Sequence, residues 1–199
     1  MLYSKNRMAE MIITSGKYRG IPISAPKGDS TRPTLAKTRQ AIFNMIRPYI
    51  GDRLVFDFFS GTGALGFEAL SNGAMRVYFV DKLQGDILEK NAEKLKVEKG
   101  SYGFIRGDFK DACETFKNMK LKAGLIFADP PYNKGYIKIL LQSILVNDIL
   151  EDDGLVVLEL HLDEKRGIEG GLEQWNVMKE KKYGDTFVLC LKKREVANG

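Results

Sequence analysis

With 199 residues and 44% hydrophobic content, the chain suits one domain with a full core. No apolar run approaches a membrane span and the start lacks the apolar core of a secretion signal, so a cytoplasmic protein, monomeric by default, is expected. The net charge is +5, but residues 1–55 hold ten Lys/Arg against three acids, which leaves −2 for the remainder. A basic front end on a near-neutral body suits a nucleic-acid partner, since phosphate neutralisation gives affinity without reading sequence. Cys113 and Cys190 lie far apart and His161 is the single histidine, which argues against a metal site or a Ser-His-Asp hydrolase.

Residues 1–10 carry no periodicity and read as a frayed tail. Residues 12–26 read as a short hairpin, with Gly16 or Gly20 near its turn. Leu35 to Tyr49 is helical, with Thr34 as N-cap and Ala41, Ile42, Met45 and Ile46 at helical spacing. Lys17, Arg19, Arg32, Lys37 and Arg39 are the cations here that would meet phosphate. Strands over 54–58, 76–81, 102–105, 124–129 and 154–160 then alternate with helices over 64–72, 84–98, 110–119, 134–147 and 163–172. That alternation predicts an α/β fold, a doubly wound Rossmann-like sheet with mostly parallel strands, preceded by the small hairpin and helix. Segments 177–181 and 186–192 read as a closing hairpin about Tyr183-Gly184-Asp185, with Trp175 packed beneath it. The domain divides into a basic front end (11–50) and a core (51–192).

Three stretches carry chemistry. Leu54 to Phe59 is a buried strand running into Ser60-Gly61-Thr62-Gly63-Ala64-Leu65-Gly66 and then a helix. Gly61 and Gly63 permit positive φ and close backbone approach, and the helix N-terminus offers free N–H groups. Twenty residues after Gly61, Asp81 ends the next strand, where a carboxylate can hold both ribose hydroxyls. The glycine spacing also fits a dinucleotide site, but Asp57 just before the loop would repel a pyrophosphate. S-adenosylmethionine carries an ammonium and a sulfonium and no phosphate, so it suits Asp57 better. At the third strand, Asp108 is placed to accept from an adenine amine and Phe109 to flank the ring; Asp108 alone would read as a helix N-cap.

The fourth strand ends in Asp129-Pro130-Pro131-Tyr132. Asp129 and the Pro130 carbonyl are two acceptors that can draw a planar exocyclic amine toward tetrahedral geometry, and the prolines hold them at low entropic cost. Tyr132 is placed to stack on the base. A strand ending in a turn is the bland alternative. Asp57, Asp81, Asp108 and Asp129, each at a strand's C-terminal tip, together favour a ligand site.

The glycine loop, Asp81, Gly107-Asp108 and Asp129-Pro130-Pro131-Tyr132 resemble class I S-adenosylmethionine-dependent amino-methyltransferases. Thr31-Arg32-Pro33-Thr34, Arg39-Gln40-Ala41-Ile42-Phe43-Asn44 and Tyr183-Gly184-Asp185-Thr186 narrow the resemblance to the RsmD-type family over roughly residues 11 to 192. It implies methylation of a guanine N2 amine in bacterial 16S ribosomal RNA, within the small subunit, and an antiparallel seventh strand from the closing hairpin. No role is carried over to Glu159 or His161, because the family tends to place Glu and His together there. N6-adenine DNA methylation, protein-glutamine methylation and a catalytically silent cofactor-binding module are the competing functions.

Overall fold

A computed structural model describes residues 9–25, 33–83, 85–131 and 135–194. Expectations placed on residues 1–8, Arg32 and Tyr132 lie outside them. Strands β1 (Ala9–Ile12) and β2 (Pro22–Ala25) pair antiparallel, with Ala9 opposite Ala25 and Ile12 opposite Pro22. The hairpin therefore starts at Ala9, and residues 9 and 10 belong to it instead of to a tail. Helix α1 (Pro33–Ile46) begins one residue ahead of Thr34, which corrects the N-cap assignment. Proline suits a first helical turn, where its missing N–H would have no partner. At the other end Pro48 cannot donate, and the helix passes into a 3-10 turn, Arg47–Tyr49.

The remaining elements alternate as expected: β3 (Leu54–Phe58), α2 (Ala64–Ser71), β4 (Arg76–Asp81), α3 (Gly85–Leu95), β5 (Tyr102–Arg106), α4 (Phe109–Asn118), β6 (Ala123–Ala128), α5 (Tyr136–Val146), β7 (Leu150–His161), α6 (Leu162–Ile168), β8 (Trp175–Tyr183) and β9 (Thr186–Lys193). They build a seven-stranded sheet in the order β5-β4-β3-β6-β7-β9-β8. Strands β3 to β7 are parallel, and β9 inserts antiparallel between β7 and β8. The expected helix over 163–172 stops at Ile168 and continues as a 3-10 turn, Glu169–Gly171. No described helix is long and apolar enough to cross a membrane.

Helices cover both faces of the sheet, so β3 and β6 are buried at every position and read as unbroken runs. One core layer gathers Phe56, Phe58 and Phe116 with α4 and α5; the other gathers Val55, Phe67, Phe79 and Phe127 with α1, α2 and α3. Both cysteines are buried in these layers, and burial pushes their thiols up to about 12 for Cys113 and about 11 for Cys190. Neither is a nucleophile near neutral pH. Trp175 opens β8 and is buried in the first layer.

The front end is fastened by one carboxylate. Glu68 on α2 is fully buried and accepts from the Thr14 N–H (2.9 Å), the Thr14 hydroxyl (2.8 Å), the Ser15 N–H (2.7 Å) and the Ser15 hydroxyl (2.7 Å). Arg39 of α1 completes the cluster at 3.2 Å and also donates to the Ile12 carbonyl at 2.6 Å. Gly16 lets the hairpin loop close on α2: a Cβ there would lie 1.9 Å from the Ser71 carbonyl oxygen, and its φ is +74°. Removing one partner of such a buried pair leaves the others uncompensated. Glu68→Ala is expected to destabilise the protein by about 3–5 kcal/mol, read by urea unfolding.

Candidate active site

Four parallel strands end on the same edge, and their registers fix which tips are neighbours. Phe58 of β3 lies opposite both Val80 of β4 and Ala128 of β6, and Ala128 lies opposite Leu158 of β7. Asp57, Asp81, Asp129 and Glu159 are thus gathered along one rim, at the C-terminal side where open α/β sheets take ligands.

The glycine loop folds as its sequence predicts. Gly61 and Gly63 have φ of 51° and 78°. Gly63 donates to the Ser60 carbonyl at 2.6 Å, closing the turn before α2. Asp81 braces the loop: one oxygen accepts from the Gly61 N–H at 2.9 Å, the other from the Leu83 N–H at 2.8 Å. Gly66 serves packing, since a Cβ there would lie 2.3 Å from the Phe79 ring and 2.9 Å from a carboxylate oxygen of Asp57. The Thr62 carbonyl is held by the Asn91 amide of α3 at 3.0 Å, and the same amide group pairs with the Ser24 backbone through bonds of 2.7 and 3.0 Å. Strand β2 is therefore tied to the loop through one buried side chain. Phe59 sits between strand and loop at φ 58°, a left-handed conformation that a bulky residue adopts under constraint.

The electrostatics of the rim are acidic. Asp57 is buried with one oxygen accepting from the Gly66 N–H at 2.9 Å. Burial, with Asp129 and Asp81 nearby, pushes its carboxyl up to about 8, against the pull of that hydrogen bond. Glu159, half-buried, is pushed to about 8 by burial and by Asp129 and Asp57, with Arg39 opposing. The Asp57 carboxyl suits a cationic ligand, which would favour its ionised form. Asp108 behaves differently. It caps α4 by accepting from the Lys110 N–H at 2.9 Å and pairs with Lys82 at 2.7 Å; against partial desolvation, these contacts hold its carboxyl below the usual range.

Asp129 is exposed at the end of β6, Pro130 is buried beside it and Pro131 is exposed. Phe109 is almost fully buried, its ring packed against Phe59 and Tyr136 at centroid distances of 5.3 and 5.6 Å. It lies beneath the rim and does not offer an open face to an adenine, which corrects the expectation for it. Arg39 is corrected too. It is 5% exposed and engaged by Glu68, so its charge stays inside the fold and is not offered to phosphate. Lys17, Arg19 and Lys37 are exposed as expected. Lys179 and Lys181 of β8 join Asn44, Met45 and Tyr183 in a cleft against α1 that the sequence reading overlooked. Asn91 was overlooked as well, and Glu159, given no role from the sequence, is the acid that follows the apolar run Leu155-Val156-Val157-Leu158 of β7. Among the described residues no cluster of His, Cys, Asp and Glu could hold a metal ion.

A sheet of this order, with a braced glycine loop and carboxylates at its strand tips, defines a Rossmann-like methyltransferase. The chain belongs to the family described as "Conserved hypothetical protein 95", whose model matches residues 11–192. It is 35% identical over 186 residues to "Putative rRNA methyltransferase YlbH" of Bacillus subtilis, covering 92% of this chain and 100% of that one. It is 29% identical over 185 residues to "Ribosomal RNA small subunit methyltransferase D" of Haemophilus influenzae, covering 92% and 94%. A solved structure, "Putative methyltransferase yhhF from Escherichia coli", superimposes with a TM-score of 0.78 at 26% identity, over 94% of this chain and 100% of that one. The family resemblance read from the sequence agrees with these matches.

The raised carboxyls make stability depend on pH. Asp57 binds its proton more tightly folded than unfolded, so its contribution is full below about pH 4 and is lost as pH rises through about 8. Asp57→Asn keeps an acceptor for Gly66 without the charge. Relative to wild type it is expected to gain stability between pH 5 and 8, by up to about 1.4 kcal/mol per pH unit, in melts of the unliganded proteins.

Proposed function

We propose that this protein transfers a methyl group from S-adenosylmethionine to the exocyclic N2 amine of a guanine in bacterial small-subunit ribosomal RNA. The observation that carries the reading is the shared rim: Asp57 and Asp129 lie at the tips of paired strands and feel each other's charge. On this reading donor and acceptor sites share one rim of the sheet. The family and the named rRNA methyltransferase relatives support the choice of RNA.

The residues present fit the cofactor. Asp57 is an acid held near neutral charge for want of a cation, and an ammonium group supplies one. Asp81 would hold the ribose hydroxyls from the loop it braces, Ser60, Gly61, Thr62 and Gly63 would line the turn against the cofactor, and Asp108 would hold the adenine amine. S-adenosylmethionine, when bound, brings a methyl group already activated on a sulfonium. The protein then has mainly to position and to stabilise charge. A stacked guanine hides its N2, so the target rotates out of its helix into the pocket. Asp129 and the Pro130 carbonyl accept from the amine, and Asp129 favours the positive charge that develops on N2. The surplus proton passes to water, and no strong base is required. Tyr132 stacks on the base. Lys17, Arg19 and Lys37, with Lys179 and Lys181 along the cleft, hold phosphates. On this reading the substrate is ribosomal RNA within the small subunit, met by a monomer in the cytoplasm.

Tritiated cofactor incubated separately with unmodified small subunits, naked ribosomal RNA, duplex DNA and release factor tests the reading. Label on a guanine N2 of the RNA is expected; label on DNA adenine or a protein glutamine overturns it. Asp129→Ala is expected to lower kcat by about a hundredfold or more while cofactor affinity stays nearly constant. In a Lys17/Lys37/Lys179/Lys181 quadruple alanine variant, the slope of log affinity against log salt should become shallower by about one for each phosphate no longer neutralised. An unchanged slope removes these lysines from the interface.

A further inference from the structure

Glu159 is the acid in this rim that the proposed chemistry leaves without a task. It stands on β7 next to β6, one residue beyond the paired Ala128 and Leu158, so its level matches that of Asp129. The charge of Asp129 acts on it more strongly than that of Asp57. The groups that act on it are Asp129 from the β6 tip, Arg39 from α1 and Asp57 from β3. Arg39, the cation among them, is already engaged by Glu68 and the Ile12 carbonyl. Among the described residues no donor reaches the Glu159 carboxyl. A half-buried acid between apolar neighbours, with no such partner, is costly to keep unless something arrives to meet it.

The arriving group can be specified. We infer that Glu159 reads the Watson–Crick edge of the target base, its carboxyl meeting O6 and N1–H of the guanine whose N2 amine rests on Asp129. This rests on the function proposed above and adds the residue that selects the base. Guanine presents an acceptor, a donor and a donor along that edge, in the order O6, N1–H, N2–H. A neutral carboxyl offers one donor and one acceptor side by side, and Asp129 supplies a second acceptor. Together they present donor, acceptor, acceptor, the pattern with which cytosine pairs to guanine. Scale agrees, since the three groups span about one inter-strand spacing, roughly 4.8 Å. So does protonation state: burial, Asp129 and Asp57 hold the Glu159 proton up to about pH 8.

The test uses small subunits carrying either guanine or 2-aminopurine at the target position. 2-Aminopurine keeps the N2 amine but lacks both O6 and N1–H. Wild type should prefer guanine by about 10- to 100-fold in kcat/KM. Glu159→Met should erase that preference by losing rate on guanine alone, with cofactor binding and melting temperature as controls. Glu159→Gln carries the same donor and acceptor as the neutral acid and should keep the preference. A Met variant that still prefers guanine, or a folded Gln variant that does not, overturns the inference while leaving the function standing. A wild type that methylates no guanine N2 overturns both.

Discussion

Glu68 is the residue around which the molecule is organised. A carboxylate with no exposure would be unfavourable alone, and here it is met by backbone and hydroxyl donors from Thr14 and Ser15 and by Arg39. Those partners come from the hairpin loop and from α1, while Glu68 belongs to the helix that follows the glycine loop. The cluster therefore joins the basic front end to the element that shapes the ligand site. Asn91 makes a second tie, from Thr62 in the loop to Ser24 in β2. The hairpin, α1 and the glycine loop are thus held in one frame, and the loop's geometry is set by these ties.

The same frame distributes charge. Arg39 pairs with Glu68 and still pulls the carboxyl of Glu159 downward, so one buried cation serves two acids. Asp57, Asp129 and Glu159 together exceed what it can balance. Burial and these mutual charges keep Asp57 protonated in the unliganded protein, and a cation beside it would favour its ionised form.

How much of this was legible follows from which interactions are local. β3, α2 and the glycine turn declare themselves because strand burial, turn conformation and helix start all lie within a dozen neighbouring residues. Asp81 and Asp129 were legible because strand tips are predictable in a parallel sheet. Arg39 was not. In a basic segment it reads as surface, and its partner Glu68 lies 29 residues away on another helix. The burial of Phe109 was not legible either, because its ring partners Phe59 and Tyr136 come from other elements. Glu159 needed the register between β6 and β7, which no local pattern encodes. The α1 start was placed late because Thr34 has the side chain of an N-cap, whereas Pro33 already opens the helix.

Strand β8 has a consequence of its own. It is the outermost strand on its side of the sheet, paired only to β9 among the described strands, and nearly all its side chains are exposed. An open edge of this kind invites another chain to hydrogen-bond onto it. Here the pairing with β9 is broken between Val177 and Lys179, and Lys179, Lys181 and Lys182 follow the irregularity. Two molecules brought edge to edge would confront matching rows of ammonium groups across a bent ladder, which disfavours fibre-like stacking. A polyanion experiences that row as attraction. The margin that keeps copies of this chain apart is thus compatible with a nucleic acid drawing close.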